Sequence, residues 1–154
     1  MQGFDREIEL FLATSRTATL ATVDDRGCPY AANVQYAHDR GWRLVWVSSP
    51  TSEHSRHLAD RPNAALTVYA HRDHAETLHG LQLRGTVAPA IAKGQAEWHR
   101  VWELYTAKFD FVRSLPQFRD AAEKQSFYVF TPTWLRWIDN RRGFGWKVEK
   151  DLGG

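Results

Sequence analysis

The 154-residue chain reads as a mainly β protein with flanking helices, folded as a small antiparallel barrel. Three observations point there: six or more short runs rich in Val, Thr, Tyr and Trp, turn-forming residues between them, and few stretches of helical period. Phe4, Ile8, Phe11 and Leu12 recur at helical spacing, which predicts an amphipathic helix over the first fifteen residues. Thr17 to Val23 alternates as a strand, Asp24, Asp25, Arg26 and Gly27 carry turn chemistry, and PYAANVQYA runs on to Ala37 as the second arm of a hairpin. A similar turn, His38 to Gly41, leads into WRLVWV (Trp42 to Val47), the third strand of an antiparallel meander. A short helix then ends near Arg61 and Pro62, and Ala64 to Ala70 and Leu81 to Val87 follow as the fourth and fifth strands. In the fifth, Leu81, Leu83 and Gly85 share one face while Gln82, Arg84 and Thr86 share the other. Gln82 therefore stands apart from the packed face or points at a ligand.

Lys93 to about Phe109 returns to helical period, with Trp98, Trp102, Tyr105 and Phe109 forming an aromatic stripe. Such a stripe is core or a subunit contact more often than a lid over a flat cofactor. Leu115 to Gln125 predicts one more helix, and FYVF (Phe127 to Phe130), TWLRWI (Thr133 to Ile138) and GWKVE (Gly145 to Glu149) close the chain as strands. No repeat, low-complexity segment or linker interrupts the pattern, so residues 1–154 are expected to form a single domain.

Composition narrows the functional classes. Twenty basic against 18 acidic side chains leave a net charge of +2 with no long run of one sign, which argues against a nucleic-acid backbone as partner. The single cysteine, Cys28, has no disulfide partner within the chain and reads as a buried or half-buried thiol. No apolar stretch is long enough to cross a membrane, and Asp5, Glu7 and Glu9 occupy the place of a basic leader, so a cytoplasmic protein without membrane contact is expected. The aromatic surplus, seven Trp, five Tyr and eight Phe, suits packing and flat ligands alike.

The most informative segment joins the third and fourth strands. Ser48, Ser49, Thr51 and Ser52 supply hydroxyls just before a short helix that carries His54, Arg56 and His57. A helix N-terminus exposes unpaired N–H groups and the positive end of the dipole, so a phosphate there needs only hydroxyls and a cation to complete its shell. An ordinary capped helix uses the same residue types, with Pro50 tolerated near its start, and Glu53 would satisfy the dipole by itself. Other chemistry finds weaker support. His71, Asp73 and His74, or His54 with His57, fall short of a four-ligand metal set, and no metal is expected. No histidine or asparagine marks Cys28 as a nucleophile, and the chain carries no nucleophile elbow, P-loop or dinucleotide glycine motif.

Taken together, TLATVDDRGCPYAANVQY, LVWVSSPTSEHSRHLADRPNAALTV and LQLRGTV resemble the pyridoxamine 5′-phosphate oxidase-like family of FMN-binding split barrels over roughly residues 10 to 90. The tail, YVFTPTWLRWIDNRRGFGWKV, is similar to the end of small bacterial members. The resemblance implies a six-stranded antiparallel split β-barrel and a homodimer with one FMN at each of two interface sites. It implies that Ser48, Thr51, Ser52 and His54 face the FMN phosphate, that Gln82 lies near the isoalloxazine, and that Asn33 and Val34 lie along the flavin; Arg56, if its side chain folds back, is expected to compensate for charge that this chain lacks beside the phosphate. Where the family offers Arg and Lys after the serine, this chain has Glu53 and His54, and the second strand lacks its usual basic residue. The basic C-terminal motif that grips a substrate phosphate is also missing, so vitamin B6 oxidation is not expected. The implied activity is an FMN-dependent oxidoreductase passing electrons between a reduced nicotinamide and a small acceptor. The alternative is a non-catalytic binder of flavin, deazaflavin, haem or another flat anionic ligand in the dimer cleft.

Overall fold

Alternation along the strand runs resolves into a curled antiparallel sheet in the computed structural model, which describes residues 2–70 and 74–153. The elements are α1 (Gln2–Thr14), β1 (Thr17–Val23), β2 (Pro29–Gln35), β3 (Ala37–Asp39), β4 (Arg43–Ser48), α2 (Glu53–Asp60), β5 (Asn63–Tyr69), β6 (His79–Val87), β7 (Ile91–Ala92), α3 (Trp98–Lys108), α4 (Asp110–Ser114), α5 (Pro116–Glu123), β8 (Ser126–Asp139) and β9 (Lys147–Asp151). The strand order is β2-β1-β5-β6-β8-β4-β3, with β7 and β9 also paired to β8. This is a split half-barrel, and among the described residues nine strands build it rather than the six expected.

The sheet has a dry face because every second residue is apolar. Ala18 and Leu20 of β1, Leu66 and Val68 of β5, Leu81 and Leu83 of β6, and Leu135 and Trp137 of β8 all point inward and are buried. At fully buried positions such as Leu20 and Leu135, each side chain contributes about 1.5–3 kcal/mol by leaving water. Helix α1 adds Ile8, Phe11 and Leu12 to this core, and α2 adds Leu58. A second core lies on the other side of β4 and β8, where α3 presses Trp98, Val101, Trp102, Tyr105 and Phe109 against Val45, Phe127 and Val129. β4 and the first part of β8 are thus covered on two faces, which explains why LVWV and FYVF read as unbroken apolar runs. The aromatic stripe of α3 is core.

Four boundaries differ from the sequence reading. PYAANVQYA is not one strand: the chain changes partners at Tyr36, leaving β1 and joining β4 as β3. Tyr36 is fully buried there, its hydroxyl donating to Leu12 O at 3.0 Å and its N–H to Arg16 O at 3.0 Å. Helix α3 begins only at Trp98, because the short β7 and a turn at Gly94 (φ 99°) precede it. An additional helix, α4, precedes α5, and the break at Leu115 follows from the restriction that Pro116 places on the residue before it. FYVF and TWLRWI are one long strand, β8, running through Pro132. Arg84 pairs with Trp134 and Gly85 with Pro132, so Thr133 is an extra, bulged residue and the missing N–H of proline costs no regular ladder bond. Cys28, finally, is exposed rather than buried. It sits at a hairpin tip where Asp24 Oδ1 accepts from the N–H groups of Arg26 and Cys28, both at 2.8 Å, and this turn projects into solvent.

Candidate functional site

Strand β4 ends at Ser48, and the chain turns through Ser49–Ser52, closed by the Ser52 N–H donating to Ser49 O at 3.1 Å. Ser52 occupies the N-cap position of α2 in extended conformation (φ −63°, ψ 153°), yet its side chain does not cap the helix. Its Oγ lies instead 2.8 Å from Ser49 O, 2.7 Å from Ser55 Oγ and 3.3 Å from His54 Nε2. Ser48 Oγ reaches the same His54 nitrogen at 2.9 Å, and Ser49 Oγ and Thr51 Oγ1 bond to each other at 2.9 Å. The hydroxyls of the bend therefore converge on one another and on His54. Helix geometry leaves the N–H groups of the first turn without intrahelical acceptors, and Ser52 does not fill the gap.

The electrostatics of the bend are weaker than its hydrogen-bonding capacity. Desolvation, followed by the charge of His57, holds His54 below the usual imidazole range, so it is neutral at pH 7. Glu53 is exposed in the first turn of α2, and Arg56 is exposed one turn along. The donor set fits an anion approached by hydroxyls and amides, and the exposed Arg56 is the one cationic side chain on α2 besides its histidines. His57 does not join His54 as a ligand pair. Its Nδ1 is 2.9 Å from Thr22 Oγ1, under α2, and the Tyr30 ring meets it edge-on.

The remaining expected site residues lie on the outward face of the sheet. Asn33 is exposed there and accepts from Thr19 Oγ1 at 2.8 Å. Gln82 faces the same way, its Oε1 accepting from Arg136 Nη1 at 3.1 Å. Register aligns Asn33, Thr19, Thr67, Gln82, Arg136 and Glu149 as one polar row across six strands. Beside it runs a flat strip of Ala31, Ala21 and Ala65, ending at Arg84 and Trp134, whose cation and ring are 4.0 Å apart. Val34 does not belong to this face. One residue along the strand from Asn33, it points inward and is buried in the barrel core.

Two groups of residues thus emerge, the bend and the outer row, and among the described residues no hydrogen bond or ion pair joins them. Arg136, Trp134 and Thr19 went unseen in the sequence. Arg84 had a signal, the alternation of LQLRGTV, but Arg136 meets Gln82 only because β6 pairs with a strand 54 residues away. Among the described residues no group of three or more potential metal ligands forms, and His71 and Asp73 lie outside those residues. No described helix is long and apolar enough to cross a membrane.

The family model described as pyridoxamine 5′-phosphate oxidase matches residues 4–138. Among solved structures, a heme binding protein from Mycobacterium smegmatis superposes with a TM-score of 0.72 at 21% identity, over 94% of this chain and 57% of that one. The chain thus spans little more than half of that protein. A conserved hypothetical protein from Mycobacterium tuberculosis gives a TM-score of 0.72 at 25% identity, covering 97% of this chain and 92% of its own. An FAD-binding protein from Mesorhizobium loti gives 0.67 at 16% identity, over 85% and 91%. No curated protein sequence matches the chain significantly.

Proposed function

The chain belongs to the pyridoxamine 5′-phosphate oxidase family, and on that premise we propose that it is an FMN-binding flavoprotein, acting as a homodimer, that passes electrons between a reduced nicotinamide and a small acceptor. The observation that carries this reading is the convergence of Ser48, Ser52 and His54 at the start of α2. Hydroxyl protons there turn outward to meet the phosphate end of a flavin nucleotide, together with the first-turn amides, while Thr51 and Arg56 close the shell from solvent. On the sheet, the Arg136 guanidinium holds the Gln82 amide oxygen, which leaves the amide N–H groups of Gln82 to donate toward the ring edge. Asn33 stands along the same row, and Val34 supports it from behind the sheet. The bound flavin would supply the electron transfer, and the groups of this chain orient it and keep water from the cleft. The uncovered outer face, with its flat alanine strip and the exposed Tyr69, is the surface a second copy would cover.

Pyridoxamine 5′-phosphate itself is not the substrate we assign. The C-terminal arginines that could grip a second phosphate, Arg141 and Arg142, are engaged with Asp139 and Glu7. A second reading, a non-catalytic binder of flavin or haem, is favoured by the weak charge of the bend, where burial holds His54 below the usual imidazole range and, among the described residues, no Lys or Arg side chain hydrogen-bonds to its hydroxyls. The heme-binding neighbour from M. smegmatis supports that reading at the level of the fold.

Titration of the purified protein with FMN, followed by flavin fluorescence, is expected to show saturable quenching, and the yellow complex to bleach with NADH or NADPH. Replacing His54 and Arg56 together by Ala should weaken FMN binding at least tenfold, about 1.4 kcal/mol. Light scattering should report twice the chain mass. Unchanged affinity in the double variant would remove the bend as the phosphate site, and bleaching that never occurs would favour the binder.

A further inference from the structure

The turn between β3 and β4 builds a pocket remote from the bend. Gly41 and Trp42 both take left-handed backbone there (φ 68° and 58°), a conformation a bulky residue keeps only when its surroundings hold it, and the Trp42 ring is buried in the core. The tight turn sets Arg43 opposite Asp39 in the ladder. Asp39 is the hub of the cluster, with a side chain only 10% exposed. Its Oδ1 accepts from the Arg40 N–H at 2.8 Å, and its Oδ2 accepts both from Arg43 Nη2 and from Arg100 Nη1 of α3, each at 2.8 Å. Burial would raise this carboxyl, but the Arg40 amide and the Arg100 guanidinium outweigh burial and hold it below the usual range.

Sharing one oxygen brings the two guanidinium nitrogens within twice 2.8 Å of each other. A guanidinium carries five N–H donors. Arg43 uses one on Asp39 and one on Arg40 O at 3.2 Å, and Arg100 uses one on Asp39 and one on Glu97 Oε2 at 3.2 Å, so most donors of both stay unmet. Among the described residues the exposed Arg40 guanidinium makes no hydrogen bond or ion pair at all. These four residues and Glu97 line an open cavity of about 490 Å³, and three arginines against two carboxylates leave it one positive charge in excess. Cations held this close repel, and a further oxyanion would offset what the two carboxylates leave.

From the converging, unmet guanidinium donors we infer that this pocket binds the phosphate group of a small, hydrophilic phosphate ester, bridged between Arg43 and Arg100 and closed over by Arg40. A tetrahedral phosphate presents oxygens to two forks at once, which a planar carboxylate cannot. No aromatic ring or apolar side chain lines the cavity, which suits the hydroxylated body of a sugar phosphate better than a nucleotide base. The pocket is independent of the flavin reading: Arg43 opens β4 and Ser48 closes it, roughly 16 Å along the strand and on its opposite face.

Isothermal titration with ribose 5-phosphate and with inorganic phosphate, at matched ionic strength, tests this on the parent and on the His54→Ala, Arg56→Ala double variant. Saturable binding of equal affinity in the two proteins is expected, with the ester tighter than inorganic phosphate. Arg43→Gln combined with Arg100→Gln should weaken it at least tenfold. Arg40→Gln removes a side chain that holds nothing in the fold, and should weaken it at least threefold with the urea midpoint unchanged. Binding that never saturates, or that survives the loss of Arg43 and Arg100, would overturn the site, as would binding lost only in the His54, Arg56 variant. Inorganic phosphate binding as tightly as the ester would overturn the ester as ligand, and indifference to Arg40→Gln would overturn the closing role of Arg40. No flavin enters the titration, so failure here leaves the flavin reading standing.

Discussion

Ser48 Oγ lies 2.9 Å from His54 Nε2, so the last residue of β4 and the second residue of α2 are joined by a hydrogen bond across the bend. That bond fixes the imidazole over the helix start, where its neutrality would limit how tightly the proposed phosphate could be held.

If charge is what the bend lacks, supplying it should tighten binding. His54→Lys places a cation beside Ser48 and Ser52 and is expected to raise FMN affinity about tenfold, roughly 1.4 kcal/mol, with a steeper loss of affinity in salt than the parent shows. Titration at two ionic strengths measures both. An affinity that stays flat or falls would mean the phosphate does not approach this side of the bend.

Gly85 is expected to tolerate no side chain. A Cβ there would lie 2.1 Å from Thr131 O and 2.8 Å from Pro132 Cα, both backbone atoms of the bulged β8. Gly85→Ala should cost about 3 kcal/mol, since the ladder must move apart rather than a side chain rotate. Urea denaturation reads the loss, and a variant as stable as the parent would show that the bulge yields.

Lys108 ties α3 to the end of α1, its ammonium donating to Leu12 O at 3.0 Å and to Ser15 O, above the Tyr36 ring at 4.2 Å. Burial, aided by the Arg16 charge, brings it down to about 8 from an ordinary 10.5. The folded protein thus favours the neutral amine more than the unfolded chain does, so this group's contribution to stability is present above 10.5 and is lost as pH falls through 8. The denaturation midpoint should therefore rise between pH 7.5 and 9.5 in the parent and rise less in Lys108→Met, comparison of the two cancelling the tyrosines. Parallel curves would contradict it.

Asp139 is 1% exposed and gathers two arginines: Oδ1 accepts from Arg141 Nε at 2.7 Å, and Oδ2 from Arg141 Nη2 at 2.9 Å and Arg142 Nε at 3.1 Å. Burial alone would raise its carboxyl, but the Arg141 bonds outweigh that and hold it below the usual range. Both arginines reach on to Glu7, so the cluster pins α1 to the turn before β9. Asp139→Asn should cost about 2 kcal/mol. In the parent this contribution is full above the unfolded carboxyl's range near 3.8 and is lost as pH falls through the lower folded value, so the difference between parent and variant should shrink below about pH 4. A gap that persists into acid would assign the effect to packing.

Which parts were legible follows from the range of the interactions. β1 was readable to its ends because a seven-residue alternation and a four-residue turn are local. The bend was readable for the same reason, as its hydroxyls lie within eight residues and bond mainly to one another. Tyr36 was not: nothing local bends the chain there, and the break comes from burying its ring beneath α1. Nor was Val34 separable from Asn33 without knowing which face of β2 meets the core.

By itself the amino-acid order determined the class of fold, most strand and helix positions and the hydroxyl-rich bend, since period-two burial, turn chemistry and helix starts are set by neighbours a few residues apart. Tertiary structure alone decided that β8 is one strand, covered on both faces only at its start, that Gln82 meets Arg136 and that burial holds His54 below the usual imidazole range. Each of those depends on desolvation or on pairing between distant segments, and neither is written in any short stretch of chain.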